Sequence, residues 1–172
     1  MPARADVFDL SSLILDRGEA RRIDLEVAIE PLRYGAQDYA PTDGTVPVRL
    51  DVSRTTAGGY ALRLGYEVQL GGPCARCLEN AGTELKIDAR EIDQPGGGEE
   101  LSSPYLEDEE LDLKAWARDA LALALPARIL CTDDCLGLCP ECGEDLNHAA
   151  QGHRHERAPD PRWAKLGELS FE

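Results

Sequence analysis

A chain of 172 residues, 42% hydrophobic but only 5% aromatic, suffices for one cored domain, or for a domain with a small added module. Its 33 Asp and Glu against 18 Lys and Arg leave a net charge of −15. That argues against a protein whose affinity comes from wrapping a phosphate backbone, which needs a surplus of cations, and leaves room for a local basic patch. The N-terminal stretch carries no apolar run behind a basic one, and no window is long enough to span a bilayer. Neither a signal peptide nor a membrane segment is therefore expected. A cytoplasmic location follows as the expectation, and reduced thiols at short spacings there favour metal over disulfides.

Residues 7–15 are apolar without a clean period and read as an extended lead-in. Ile23, Leu25, Val27 and Ile29 alternate with polar residues as in a half-buried strand, stopped by Pro31. Residues 33–44, with Gly35, Pro41 and Gly44, read as a loop. Val46, Val48, Leu50 and Val52 alternate again, and Pro47 points to an edge strand or a strand beginning. After a turn at 55–59, Tyr60, Leu62, Leu64, Tyr66, Val68 and Leu70 share one face of the clearest strand. Leu85, Ile87 and Ala89 make a further short strand, so the intervening turn joins two members of an antiparallel meander.

Residues 93–104 contain Gly96-Gly97-Gly98 and read as a mobile linker. The acidic run 107–110 reads as the solvated approach to a helix, whose dipole favours negative charge at its start. That helix is expected over 112–125, with Leu113, Trp116, Ala117, Ala120, Leu121 and Ala124 on one face. Asp112 is placed as its N-cap, and Pro126 ends it. The fold class expected is α+β: a mainly antiparallel sheet, meander or partial barrel, with one packed helix and a C-terminal cysteine-rich zinc module. Two units follow, 1–125 for the sheet and helix, and 126–172 for the zinc-binding module and tail. The tail's Trp163, Leu166 and Leu169 could form a short helical turn docking back on the domain.

The six cysteines carry the chemistry. Cys74 and Cys77 follow the turn Gly71-Gly72-Pro73, while Cys131, Cys135, Cys139 and Cys142 fall within CTDDCLGLCPEC. Two Cys-x-x-Cys pairs aim thiolates at tetrahedral metal, and after Pro126 apolar residues are too sparse to build a core without one. His153 and His155 raise the donor count to eight, enough for two zinc ions, with a single ion as the lesser possibility. The preferred grouping is Cys74, Cys77, Cys131 and Cys135 around one zinc, and Cys139, Cys142, His153 and His155 around the other. The rival is one zinc-ribbon site of Cys74, Cys77, Cys139 and Cys142. His148 is a weaker candidate, and Glu141 and Glu144 read as surface charge. Fully protein-ligated sites are structural. No nucleophile, base and orienter assemble, and Gly96–Gly98 lacks the lysine of a phosphate-binding loop, so no enzyme is expected.

The string Pro73-Cys-Ala-Arg-Cys-Leu-Glu79, then Ala124-Leu-Pro126, then LCTDDCLGLCPECGEDLN from Leu130 to Asn147, resembles the YceD family. The ending Asp160-Pro-Arg-Trp-Ala-Lys-Leu166 fits it too. The resemblance implies a bacterial ribosome-biogenesis factor supporting synthesis, processing or stability of large-subunit (23S) rRNA, with no assigned catalytic activity. Some members keep only the first cysteine pair and one or two ligands matching Cys131 and Cys135, which favours the first grouping. The expected act is that of a zinc-stabilised scaffold for ribosomal RNA or for a basic large-subunit ribosomal protein. Arg76, Arg154, Arg157, Arg162 and Lys165 are the cations best placed for RNA. The alternative is a zinc carrier or thiol redox sensor, which requires exposed, reactive thiolates. Neither a membrane nor a small-molecule substrate is expected.

Overall fold

Period-two burial runs through the two longest central strands of the computed structural model, which describes residues 3–155. The strands are β1 (Ala3–Arg4), β2 (Val7–Asp9), β3 (Ala20–Val27), β4 (Leu32–Tyr34), β5 (Gln37–Pro41) and β6 (Val46–Arg54). They continue with β7 (Tyr60–Pro73), β8 (Asn80–Asp93), β9 (Leu106–Glu107) and β10 (Glu110–Asp112), and the helix α1 spans Leu113–Ala124. One sheet runs β1-β3-β6-β7-β5-β4, with β8 also on β7; β2-β10-β9 form a small second sheet. Since β6 and β8 both pair with Tyr60–Tyr66, they lie on opposite edges of β7. All pairs but β1–β3 are antiparallel, and the large sheet does not close into a barrel.

The fold is thus mainly antiparallel β with one helix. Leu50, Val52, Leu64 and Leu70 on the sheet's inner face are buried against Leu113, Trp116, Ala117 and Leu121 of α1. The Tyr66 hydroxyl donates to the carbonyl of Ala117, satisfying one polar atom inside that contact. Asp112 caps the helix by accepting from the Ala115 amide at 2.9 Å. The outer face of the sheet carries ion pairs such as Arg22–Asp51 and Arg63–Asp88, which are exposed to solvent and add little to stability.

Several stretches refine the sequence reading. Residues 33–44 hold the β4–β5 hairpin, turned at Gly35 (φ +60), because Leu32 and Tyr39 both point into the core. β6 is internal, between β3 and β7, so of the two readings of Pro47 the strand beginning holds: it is the second residue of β6, and the β7 ladder starts one residue later, at Val48. β8 is fourteen residues long, since β7 templates a ladder from Tyr60↔Asp93 to Pro73↔Asn80. The acidic run is a tight β9–β10 turn with Asp108 and Glu109 at positive φ, and Glu109 accepts from Tyr60 and Arg54. The lead-in at 7–15 becomes β2 and a short 3-10 turn at Leu10–Leu13, and the glycine-rich stretch carries another at Glu99–Leu101.

Candidate metal centre

The long β7–β8 hairpin ends in the turn Cys74–Glu79. There the Cys74 amide donates to the Glu79 carbonyl at 2.7 Å, and the Leu78 amide donates back to Cys74 at 3.1 Å. Gly72 sits beneath Tyr39, whose ring lies 2.2 Å from where a Cβ would stand, and the Tyr39 hydroxyl donates to the Pro73 carbonyl. That close approach seats the β4–β5 hairpin beside the turn. The Ala75 amide then donates to Ile129 at 2.8 Å, fastening the chain just beyond α1 to the hairpin tip. Cys131 and Cys135 arrive there as a consequence.

The ligand atoms of Cys74, Cys77, Cys131 and Cys135 all lie within 4.8 Å of one another. Cys74 and Cys135 sulfurs are 3.7 Å apart, and Cys77 and Cys131 sulfurs 3.5 Å. A zinc tetrahedron with bonds of about 2.3 Å has edges of about 3.8 Å, so the spacing fits. Cys74 and Cys135 are fully buried. The Arg76 amide points at Cys74 Sγ, and the Arg76 guanidinium donates to the carbonyl of Cys135. Gly137, at φ +80, packs over the Arg76 backbone, where a side chain would crowd it.

The second group is Cys139, Cys142, His153 and His155, again with ligand atoms within 4.8 Å. Its turn repeats the first: the Cys139 amide donates to Glu144 and the Gly143 amide to Cys139, both at 2.8 Å, with Gly143 at φ +76. His155 Nε2 lies 3.2 Å from Cys142 Sγ and 3.1 Å from His153 Nε2. The Glu144 carboxylate stands 3.0 Å from His153 Nδ1, leaving Nε2 to face the cluster. A carboxylate behind a ligating imidazole fixes its orientation and raises its basicity.

Charge within the two groups points to a cation. In the first, burial opposes ionisation of Cys74, but backbone amides led by that of Cys77 outweigh it and lower its pKa to about 6. Burial, and next to it the Cys131 thiol, push Cys77 the other way, up to about 12. In the second, the Cys142 amide and then His153 lower Cys139 to about 6, and the bond to Cys139 raises His153. Four such donors become compatible when a divalent ion sits among them. Both groups could hold one.

These are the two sets of the preferred grouping; the ribbon set, joining Cys74 and Cys77 to Cys139 and Cys142, is not one of the groups brought together. His148 stands apart, 81% exposed and 3.9 Å from Asp145. Asn147 escaped the sequence reading: its side chain accepts from the Leu136 amide and donates to Cys135 Sγ and Asp145, bracing the first group from the segment that follows Cys142. Arg154 is exposed between the two histidines, while Arg157, Arg162, Lys165 and the expected turn at Trp163, Leu166 and Leu169 lie outside the described residues. No described helix is long and apolar enough to cross a membrane.

Among curated proteins, the chain is similar to an uncharacterized protein of Mycobacterium tuberculosis, 39% identical over 106 residues. That alignment covers 57% of this chain and 49% of the relative, and an uncharacterized protein of Mycobacterium bovis matches equally. The chain thus spans about half the length of these relatives. An uncharacterized protein of Mycobacterium leprae is 28% identical over 95% of this chain and 76% of its own length. No solved structure matches. The model of the large ribosomal RNA subunit accumulation protein YceD matches residues 62–170, which include both donor groups. The chain belongs to the YceD family, whose description ties it to accumulation of large-subunit ribosomal RNA.

Proposed function

We propose that this chain is a non-enzymatic, cytoplasmic ribosome-biogenesis factor that supports large-subunit (23S) rRNA as a zinc-stabilised scaffold. The observation that carries the reading is that each donor group is a complete set of four, made only of thiols and imidazoles. Such closed sets hold zinc structurally, whereas catalytic zinc keeps a position open for water. Zinc at Cys74, Cys77, Cys131 and Cys135 ties the 126–172 module to the sheet. Zinc at Cys139, Cys142, His153 and His155 shapes the segment that presents Arg154.

A basic ribosomal protein fits this surface better than RNA does. In residues 126–155 the cations are Arg128 and Arg154 alone, against Asp133, Asp134, Glu141, Glu144 and Asp145. Arg76 is engaged by the Cys135 carbonyl. Complementary charge then speeds encounter with a cationic partner. Native mass spectrometry of the reduced protein should find two zinc ions per chain, and the double variant C139S/C142S should find one. Cells carrying that variant at normal abundance should accumulate less mature large-subunit rRNA; normal levels would overturn the scaffold role of the module. D133N/D134N should weaken the partner contact and reversal of Arg154 and Arg157 to Glu should spare it. The opposite pattern would make the partner RNA.

A further inference from the structure

We propose that β8 is a self-association edge, through which two copies of this chain pair antiparallel about a twofold axis at Ile87. β8 bonds to β7 along its whole length, and among the described residues no strand pairs with its other edge. A bare edge of fourteen residues is long, and proteins normally blunt such edges with charges that repel a copy of themselves. Here the order of signs attracts one. On the exposed face β8 reads Gly82, Glu84, Lys86, Asp88, Arg90, Ile92.

Centred on Ile87, an antiparallel copy sets Lys86 opposite the second copy's Asp88, and Glu84 opposite the second copy's Arg90. The symmetry makes each pair twice. Moving the centre to Asp88 sets Asp88 against itself and Lys86 against Arg90. Moving it to Lys86 sets Lys86 against itself and Glu84 against Asp88. Centring on Leu85 or Ala89 keeps only one of these kinds of pair, Glu84 with Lys86 or Asp88 with Arg90, so the register centred on Ile87 makes the most opposite-charge pairs. In that register Ile92, 50% exposed, falls opposite Gly82, which leaves room for it. On the inner face the edge borders an open groove of about 500 Å³ between β8 and α1, floored by Ile87, Ala89, Trp116 and Ala120. Its rim is Leu123, 89% exposed, and the second copy's Leu85 and Ala89 enter beside it.

Glu84 and Arg90 allow a clean test. Across β7 they face Gln69 and Arg63, and the nearest acid to Arg90 is Asp88 at 3.9 Å, so reversing them breaks no close ion pair. The full chain with its zinc should sediment as a dimer. E84R and R90E should each dimerise about tenfold or more weakly, because attractive cross-strand pairs become repulsive ones. Mixing the two variants should give a heterodimer, since every facing pair then has opposite signs, and E84R/R90E should regain the homodimer. Circular dichroism matching the original chain shows that each variant folds. A monomeric original chain at high micromolar concentration overturns the proposal, as do single variants that dimerise normally or a mixture that fails to form the heterodimer.

Discussion

The two donor groups share one local design and differ in what surrounds it. Each begins with a Cys-x-x-Cys turn closed by the same pair of backbone hydrogen bonds. The first then recruits donors 61 and 54 residues away along the chain, between a sheet tip and the segment after the helix. The second recruits donors 11 and 13 residues away. Closing the longer loops removes more chain entropy, and the first group's sulfurs are mostly buried while Cys142 and His155 are exposed. The same ligand chemistry thus serves two purposes: the first group joins two parts of the molecule, and the second shapes a short surface loop.

Removing a buried donor from the first group should have the largest effect. Cys135→Ser takes away a fully enclosed sulfur and, with it, the bond from Asn147. Structural zinc contributes about 10–16 kcal/mol to the folding of small modules, so residues 129–137 should lose their order while the second group keeps its zinc. Hydrogen exchange should show protection vanishing there while β6, β7 and α1 keep theirs. Collapse of the sheet as well would mean that the module is part of the core rather than attached to it. Retention of two zinc ions by the variant would show that the first group is not a ligand set.

A chelator should resolve the same contrast in time. Zinc at the second group, with Cys142 and His155 facing solvent, should leave first, and protection should fall only over 138–155 in that phase. Zinc at the first group should leave in a slower phase. Release of both ions in one phase would make the groups a single cooperative unit.

Much of this was legible in the chain. The alternation of β3, β6 and β7, the Asp112 cap and the helix stop at Pro126 are local properties, and they survive packing. β8 was underestimated because only Leu85, Ile87 and Ala89 show apolar period; its polar flanks are extended because β7 beside them is. The β4–β5 hairpin hid behind Gly35 and Pro41, which mark a loop until Leu32 and Tyr39 are seen to be buried. Which cysteines meet was open from spacing alone, since the Ala75–Ile129 bond that brings Cys131 to Cys77 links residues far apart in sequence. Glu144 could not be singled out among 33 acids; only the fold puts it behind His153.

Glu144 offers a smaller, sharper probe of the second group. Glu144→Gln keeps the size but removes the carboxylate that holds His153. Loss of such a partner typically weakens metal binding about 10–100-fold. Competition with a chromogenic chelator should show that loss for one zinc only, with the first unchanged. Equal weakening of both, or of neither, would deny Glu144 this role.

The smallest effect lies at the left-handed position of the two turns. Leu78 and Gly143 occupy equivalent places, each in the left-handed region, at φ +67 and +76. An L-residue there costs roughly 1–2 kcal/mol, which Gly143 avoids and Leu78 bears. Leu78 is 57% exposed, so its side chain contributes little packing in return. Leu78→Gly should therefore stabilise the first turn, by about 0.5–1 kcal/mol once the greater freedom of glycine in the unfolded chain is subtracted. Gly143→Ala should destabilise the second turn by about 1 kcal/mol, although the space around it is open. Denaturant midpoints measured with both zinc ions bound would register the opposite signs. If Leu78→Gly is destabilising instead, the leucine is held in its strained conformation by a contact, and the exposed tip of the β7–β8 hairpin becomes the place to look for a partner.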